Sequence, residues 1–212
     1  MTWGVNNYSY RHDQTYLAVD CRYFPKKGVC SFLTLRSIAR QLFLVLALVI
    51  APAGNAFSGP TSIQLLDEPQ VLPKISFSDQ SNNPVTLDKW AGKVVVLNIW
   101  ATWCTPCRIE MPTLDNLQKE LGGERFEVVA LSIDEAGLSV VEGFYEDIGI
   151  KNLEIYIDPT YTAASDLKAV GLPTTILIDT QGRELGRLVG PAEWDTPEFI
   201  AFFEEVVATQ NQ

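Results

Sequence analysis

The sequence predicts an α/β domain: a central mixed β-sheet flanked by helices, with an N-terminal β-hairpin and a central βα insertion. Three observations carry this reading. Apolar runs of strand length at Val94–Ile99 and Phe126–Ile133 are each followed by a helix-period pattern, as in β-α-β units. Thr175–Ile178 and Glu184–Val189 then flank a turn at Gly182, as in a hairpin. A final stretch, Phe199, Phe202, Phe203, Val206 and Val207, makes one apolar helical stripe, read as core.

The elements follow in order. Residues 1–56 read as an N-terminal extension with a leader, 57–73 as a linker, and 74–209 as the folded domain. Lys74–Ser78 and Pro84–Leu87 are two short strands around the turn cluster Ser81-Asn82-Asn83. Asp88–Gly92 is a turn or one helical loop. Val94–Ile99 is apolar except for Asn98, as expected of a strand covered on both faces. Ile109, Leu114, Leu117 and Leu121 approximate helical spacing, Pro112 should kink that helix, and Gly122-Gly123 stops it. Leu138, Val141, Phe144, Tyr145 and Ile148 share a second helical face. Leu153–Ile157 reads as a strand and Tyr161–Val170 as a short helix. Thr196 is the expected N-cap of the last helix, with Pro197 at its first position.

The chain has 212 residues, so one domain is the default. Charge is uneven. Residues 1–56 hold six of the 16 basic and two of the 26 acidic side chains, which leaves the rest at a formal −14. So acidic a body argues against nucleic acid as a partner and for a solvated surface. No phosphate-binding glycine loop and no internal repeat is present.

Leu42–Ala51 is uninterruptedly apolar, preceded by Arg36 and Arg40 and followed by Pro52 and the small residues Ala53, Gly54 and Ala56. This is the pattern of a secretory signal, with cleavage after Ala56. The run is shorter than the about 20 residues a spanning helix needs, so an uncleaved anchor requires Ile38–Phe57 to insert as one tilted segment. Either way, the folded part is expected to be exported to an oxidising compartment, which for a bacterial protein is the periplasm, soluble after cleavage or anchored to the inner membrane. The polar stretch before the basic flank is unlike a signal. It points to a true start nearer Val29, with residues 1–28 an upstream translation artefact.

The chemistry lies in Trp100-Ala101-Thr102-Trp103-Cys104-Thr105-Pro106-Cys107, between a buried strand and a helix N-terminus. The first turn of a helix leaves backbone N–H groups unpaired and carries partial positive charge, which stabilises a thiolate there. Cys104 is therefore the expected exposed nucleophile and Cys107, one turn inside, the resolving thiol. Exchange through a mixed disulfide follows. A zinc site of the usual type needs four ligands, and beyond residue 56 the chain has only these two cysteines and no histidine. So short a loop is also a poor structural staple. No metal or cofactor is expected beyond the redox-active disulfide itself.

These residues identify a resemblance. The chain, over about Lys74–Val207, is similar to the thioredoxin superfamily, and within it to the exported TlpA-like disulfide reductases. The motif Trp103-Cys104-Thr105-Pro106-Cys107-Arg108-Ile109-Glu110-Met111-Pro112 and the later Gly190-Pro191-Ala192-Glu193-Trp194 carry it. The resemblance implies a thioredoxin fold. It places Cys104 and Cys107 on the nucleophilic and resolving positions and Pro173 on the cis-proline facing them; from the sequence alone a trans-proline stays open. It implies that Trp103, Thr105, Pro106, Leu172 and Pro173 contact substrate, although for Trp103 core packing stays open. Thioredoxin has a buried aspartate where this chain has Asn98, which cannot relay a proton. Glu110 matches an acidic position of the exported subgroup and shares a helical face with Cys107. It is the candidate proton carrier, the other reading being a solvated surface glutamate. Residues 135–160 are an insertion relative to plain thioredoxin.

The resemblance implies a protein-disulfide reductase with protein thiol or disulfide substrates, such as apocytochrome c or oxidase copper-site cysteines. A membrane thiol-transfer protein would supply its electrons. A copper metallochaperone on the same fold is the alternative, disfavoured because copper favours sulfur plus imidazole. A net disulfide oxidase is another, since direction depends on potential and not on spacing.

Overall fold

The computed structural model describes residues 63–210. The leader reading for residues 1–56 lies outside these, as do the first residues of the expected linker. Eight strands form one sheet: β1 Gln64–Val71, β2 Phe77–Asp79, β3 Pro84–Val85, β4 Val94–Trp100, β5 Phe126–Ser132, β6 Tyr156–Ile157, β7 Thr174–Ile178 and β8 Arg183–Val189. Their spatial order is β1-β8-β7-β4-β5-β6-β2-β3. The helices are α1 Thr105–Leu121, α2 Leu138–Ile148, α3 Thr162–Asp166 and α4 Pro197–Thr209, with a 3-10 turn at Leu87–Trp90.

The centre of the sheet follows from composition. All seven residues of β4 and all five of β7 are buried, as expected of central strands covered on both faces, with Asn98, Thr174 and Thr175 the polar residues among them. β4 pairs in parallel with β5 and antiparallel with β7, so the sheet is mixed as predicted. β8 instead alternates buried and half-buried residues, the pattern of a strand covered on one face. Helix α4 begins as expected: Thr196 Oγ1 accepts the Phe199 N–H at 3.4 Å, Pro197 follows, and the five-residue apolar stripe is buried.

Several expectations change, and the hairpin strands shorten to Phe77–Asp79 and Pro84–Val85. Residues 64–71 are not linker but strand β1, antiparallel to β8. The misreading has a physical cause: β1 is an edge strand, mostly exposed, and Asp67, Glu68 and Pro69 are residues that edges tolerate. Gly186 lets it approach, since a Cβ there would lie 2.5 Å from the Gln64 carbonyl oxygen. The strand expected at 153–157 is reduced to Tyr156–Ile157, because the Leu153 N–H is taken by the Asp115 carboxylate at 3.2 Å. The helix expected at 161–170 stops at Asp166, and Lys168 turns left-handed with φ 56°. Ile109, expected in the core stripe of α1, is exposed, and Met111 is buried in its place.

The insertion is hydrogen-bonded to α1 through Asp115. Asp115, nearly buried, accepts the backbone N–H groups of Lys151, Asn152 and Leu153 and the Asn152 side-chain amide. Asp115→Ala is expected to leave these donors unmatched and to cost about 2 kcal/mol in a denaturant-midpoint measurement. From β4, Trp100 is fully buried and stacks on Tyr145 of α2 at 5.9 Å, with Phe144 at 5.3 Å. Arg108 lies 5.3 Å over the Phe144 ring. The insertion therefore packs beside the end of β4 that leads into the cysteine motif.

Candidate active site

Strand β4 ends at Trp100, and the chain turns at once into α1. Asp134 fixes this turn. Its carboxylate accepts the Thr102 N–H at 2.9 Å and the Thr102 hydroxyl at 2.7 Å, and is braced by Ser132 Oγ at 2.7 Å. Cys104 is the N-cap of α1 and Cys107 lies in its first turn, after Pro106. The two sulfurs form a disulfide. Cys104 Sγ also accepts the Cys107 N–H at 3.3 Å. That bond is the contact a thiolate at this position would strengthen. The sequence reading had Cys104 exposed. In the disulfide form both cysteines are buried, Cys104 at 6% exposure and Cys107 at 0%, because the N-cap sulfur turns back over the helix end.

The Leu172–Pro173 peptide is cis. Ile99 pairs with Thr174 across β4 and β7, so Pro173 stands level with Trp100, beside the start of the cysteine motif. Its carbonyl accepts the Gly190 N–H at 2.8 Å. Around this centre Trp103 is 61% exposed. Thr105 is exposed, Pro106 and Leu172 are half-buried, and Pro173 is buried.

Glu110 is not a surface glutamate. It is 1% exposed, one turn beyond Cys107. Its Oε1 accepts from Asn98 Nδ2 at 2.8 Å, and its Oε2 accepts from the Ala192 N–H and from Trp194 Nε1, each at 3.0 Å. Burial raises its pKa to about 7 against the opposing effect of these three donors. A carboxyl balanced there can hold or release a proton near neutrality. Asn98 itself donates a second bond, to Thr175 Oγ1 at 2.9 Å. Sequence reasoning had not joined Asn98, Ala192 and Trp194 to Glu110. The only hint was the motif around Gly190–Trp194. Among the described residues no three His, Cys, Asp or Glu side chains converge as metal ligands.

The family model for redoxins matches residues 68–200. The chain belongs to the redoxin family. Over 149 residues this redoxin is 30% identical to the thiol-disulfide oxidoreductase ResA of Bacillus subtilis (strain 168), a match spanning 70% of this chain and 80% of that one. It is 36% identical over 119 residues to the thioredoxin-like protein YneN of the same strain, covering 55% and 68%. Among solved structures, a DsbF homologue from Corynebacterium diphtheriae superposes with a TM-score of 0.57 at 26% identity, covering 73% of this chain and 96% of that one. The fold is thioredoxin-like, and the redoxin is a thiol-disulfide oxidoreductase.

Proposed function

We propose that this redoxin is an exported protein-disulfide reductase in which Cys104 attacks, Cys107 resolves and Glu110 carries the proton between them and solvent. One observation carries the reading most: a disulfide at a helix N-terminus with a buried, near-neutral carboxyl one turn behind it. In the dithiol form the Cys104 thiolate attacks a client disulfide. An S–S bond forms to the client and the client's other sulfur leaves as a thiolate. Cys107 then gives its proton to the Glu110 carboxylate and attacks Cys104 Sγ. The Cys104–Cys107 bond closes, and the client's second sulfur leaves and is protonated. Two electrons pass to the client.

Trp103, Thr105, Pro106 and Leu172 form the client-facing rim in this reading, and the turn at Pro173 offers backbone groups to an extended client strand. The signal-like leader places the protein in the periplasm, free or held at the inner membrane by residues 38–57. A membrane thiol-transfer protein re-reduces it there. The clients are cysteines of apocytochrome c or of an oxidase copper site. Among the described residues no helix is long and apolar enough to cross a membrane.

The test is covalent capture. Cys107→Ser leaves the attacking sulfur but removes the resolving one, so Cys104 should accumulate as a mixed disulfide with its client, identified by mass spectrometry under non-reducing conditions. No captured client, or a Cys104–Cys107 potential near that of strong oxidants, sinks the reductase reading. Glu110→Gln should remove the rise in exchange rate through about pH 7; an unchanged pH–rate profile would end the proton role.

A further inference from the structure

The carboxyl of Glu110 is held asymmetrically. Oε2 receives two N–H bonds, from the Ala192 backbone and the Trp194 indole, whereas Oε1 receives one, from Asn98. Backbone and indole N–H groups donate only. A proton placed on Oε2 would therefore face two hydrogens and find no acceptor. Asn98 differs, because a carboxamide has both kinds of group. Its Oδ1 is buried and without a partner. Turned about its last torsion, that oxygen would stand where Nδ2 stands, in reach of Oε1.

We propose that Trp194 is a positioning residue of the exchange reaction: its indole N–H reserves Oε2 for negative charge and confines the transferable proton to Oε1, beside Asn98. This rests on the reading that Glu110 exchanges protons with Cys107. Trp194 is built for the task. Its ring is fully buried, 4.8 Å from Phe199 and 6.3 Å from Phe203 of α4. Its backbone N–H donates to Thr113 Oγ1 at 3.1 Å, and that hydroxyl donates to the Glu110 carbonyl at 2.8 Å. Indole and carboxyl are thus clamped through both backbone and side chain. The same segment begins at Gly190, bonded to the carbonyl of Pro173. The proton-holding group and the client-facing turn therefore share one strap.

The charge on Glu110 answers to few neighbours. From β4 it meets Asn98, with Thr175 of β7 behind, and from the 190–194 strap it meets Ala192 and Trp194, all uncharged. Glu193 in that strap is exposed. On its own helix the titratable neighbour on the same face is Cys107, silent while disulfide-bonded.

The experiment follows the indole N–H signals of the nitrogen-15-labelled disulfide form from about pH 5 to about pH 9, where neither cysteine titrates. Trp194 is assigned through its backbone. Its indole signal should move with one midpoint near 7 and stay still in Glu110→Gln. In Trp194→Phe, which keeps an aromatic ring against α4, the Glu110 carboxyl carbon-13 midpoint should rise by about one pH unit, the loss of one hydrogen bond to a charged group. An indole signal that stays still while the Glu110 carboxyl titrates overturns the proposal, as does an unchanged midpoint in Trp194→Phe. The native titration decides even if that variant does not fold. Failure of the proton-transfer reading has another signature: Glu110→Gln keeps its pH–rate profile while the native indole still titrates, which leaves the charge placement standing.

Discussion

Cys104→Ala is expected to abolish exchange, lowering the rate of reduction of a model protein disulfide by at least about a thousandfold. Among the described residues the one other cysteine is Cys107. Cys107 is a poor substitute, fully buried and one turn inside α1. Its location also gives Cys104 an advantage that Cys107 lacks. Cys104 caps a 17-residue helix with no acidic side chain in its first turn, so the positive end of the helix dipole is not neutralised there. The Cys107 N–H already points at Cys104 Sγ. The reaction should thus stop before its first bond forms. Turbidimetric reduction of a model protein disulfide by the pre-reduced variant measures this. A variant within tenfold of the native rate would show that the attacking sulfur has been misassigned.

What the sequence disclosed and what it hid divide along a physical line. Elements whose signal is local were legible. The seven-residue run of β4, the Gly182 hairpin and the Thr196-Pro197 start of α4 each announce themselves within a few residues. Strand β1 was not legible, because an edge strand with one partner buries too little to impose alternation on its side chains. The shortened strand at 156–157 was hidden by a rival acceptor: Asp115, 38 residues away, holds the Leu153 N–H that a ladder would need. Ile109 misled because it lies five residues before Leu114, off the face on which Met111, three residues before Leu114, fills the core. The same limit governs the site. Cys104 and Cys107 stand together in the chain. Glu110 gains its character from Asn98 and Trp194, separated from it by 12 and 84 residues, and no local pattern records that meeting.

Glu110 should also leave a mark on stability, which separates a functional carboxyl from a structural one. In the unfolded chain its pKa is that of an ordinary glutamate, 4.5, and in the folded protein it is about 7. Between these values the folded state holds a proton that the unfolded state has lost. Stability therefore falls as pH rises from about 4.5 to about 7, and this group contributes no slope outside that window. The total is on the order of 3 kcal/mol. Glu110→Gln has no such proton to lose, and its carboxamide oxygen can still accept from Ala192 and Trp194. Relative to the native protein it should thus gain about 3 kcal/mol between about pH 4 and about pH 8, measured by denaturant unfolding of the disulfide form. Asp79 and Glu154 titrate below their ordinary values and slope the other way, but both proteins share them and they cancel in the comparison. A constant difference across the range would mean that the fold leaves the Glu110 pKa at its ordinary value. A growing one would mean that the fold retains an ionisable group where glutamine would be more stable above neutrality. That cost has a rationale in proton transfer to Cys107 and none in packing.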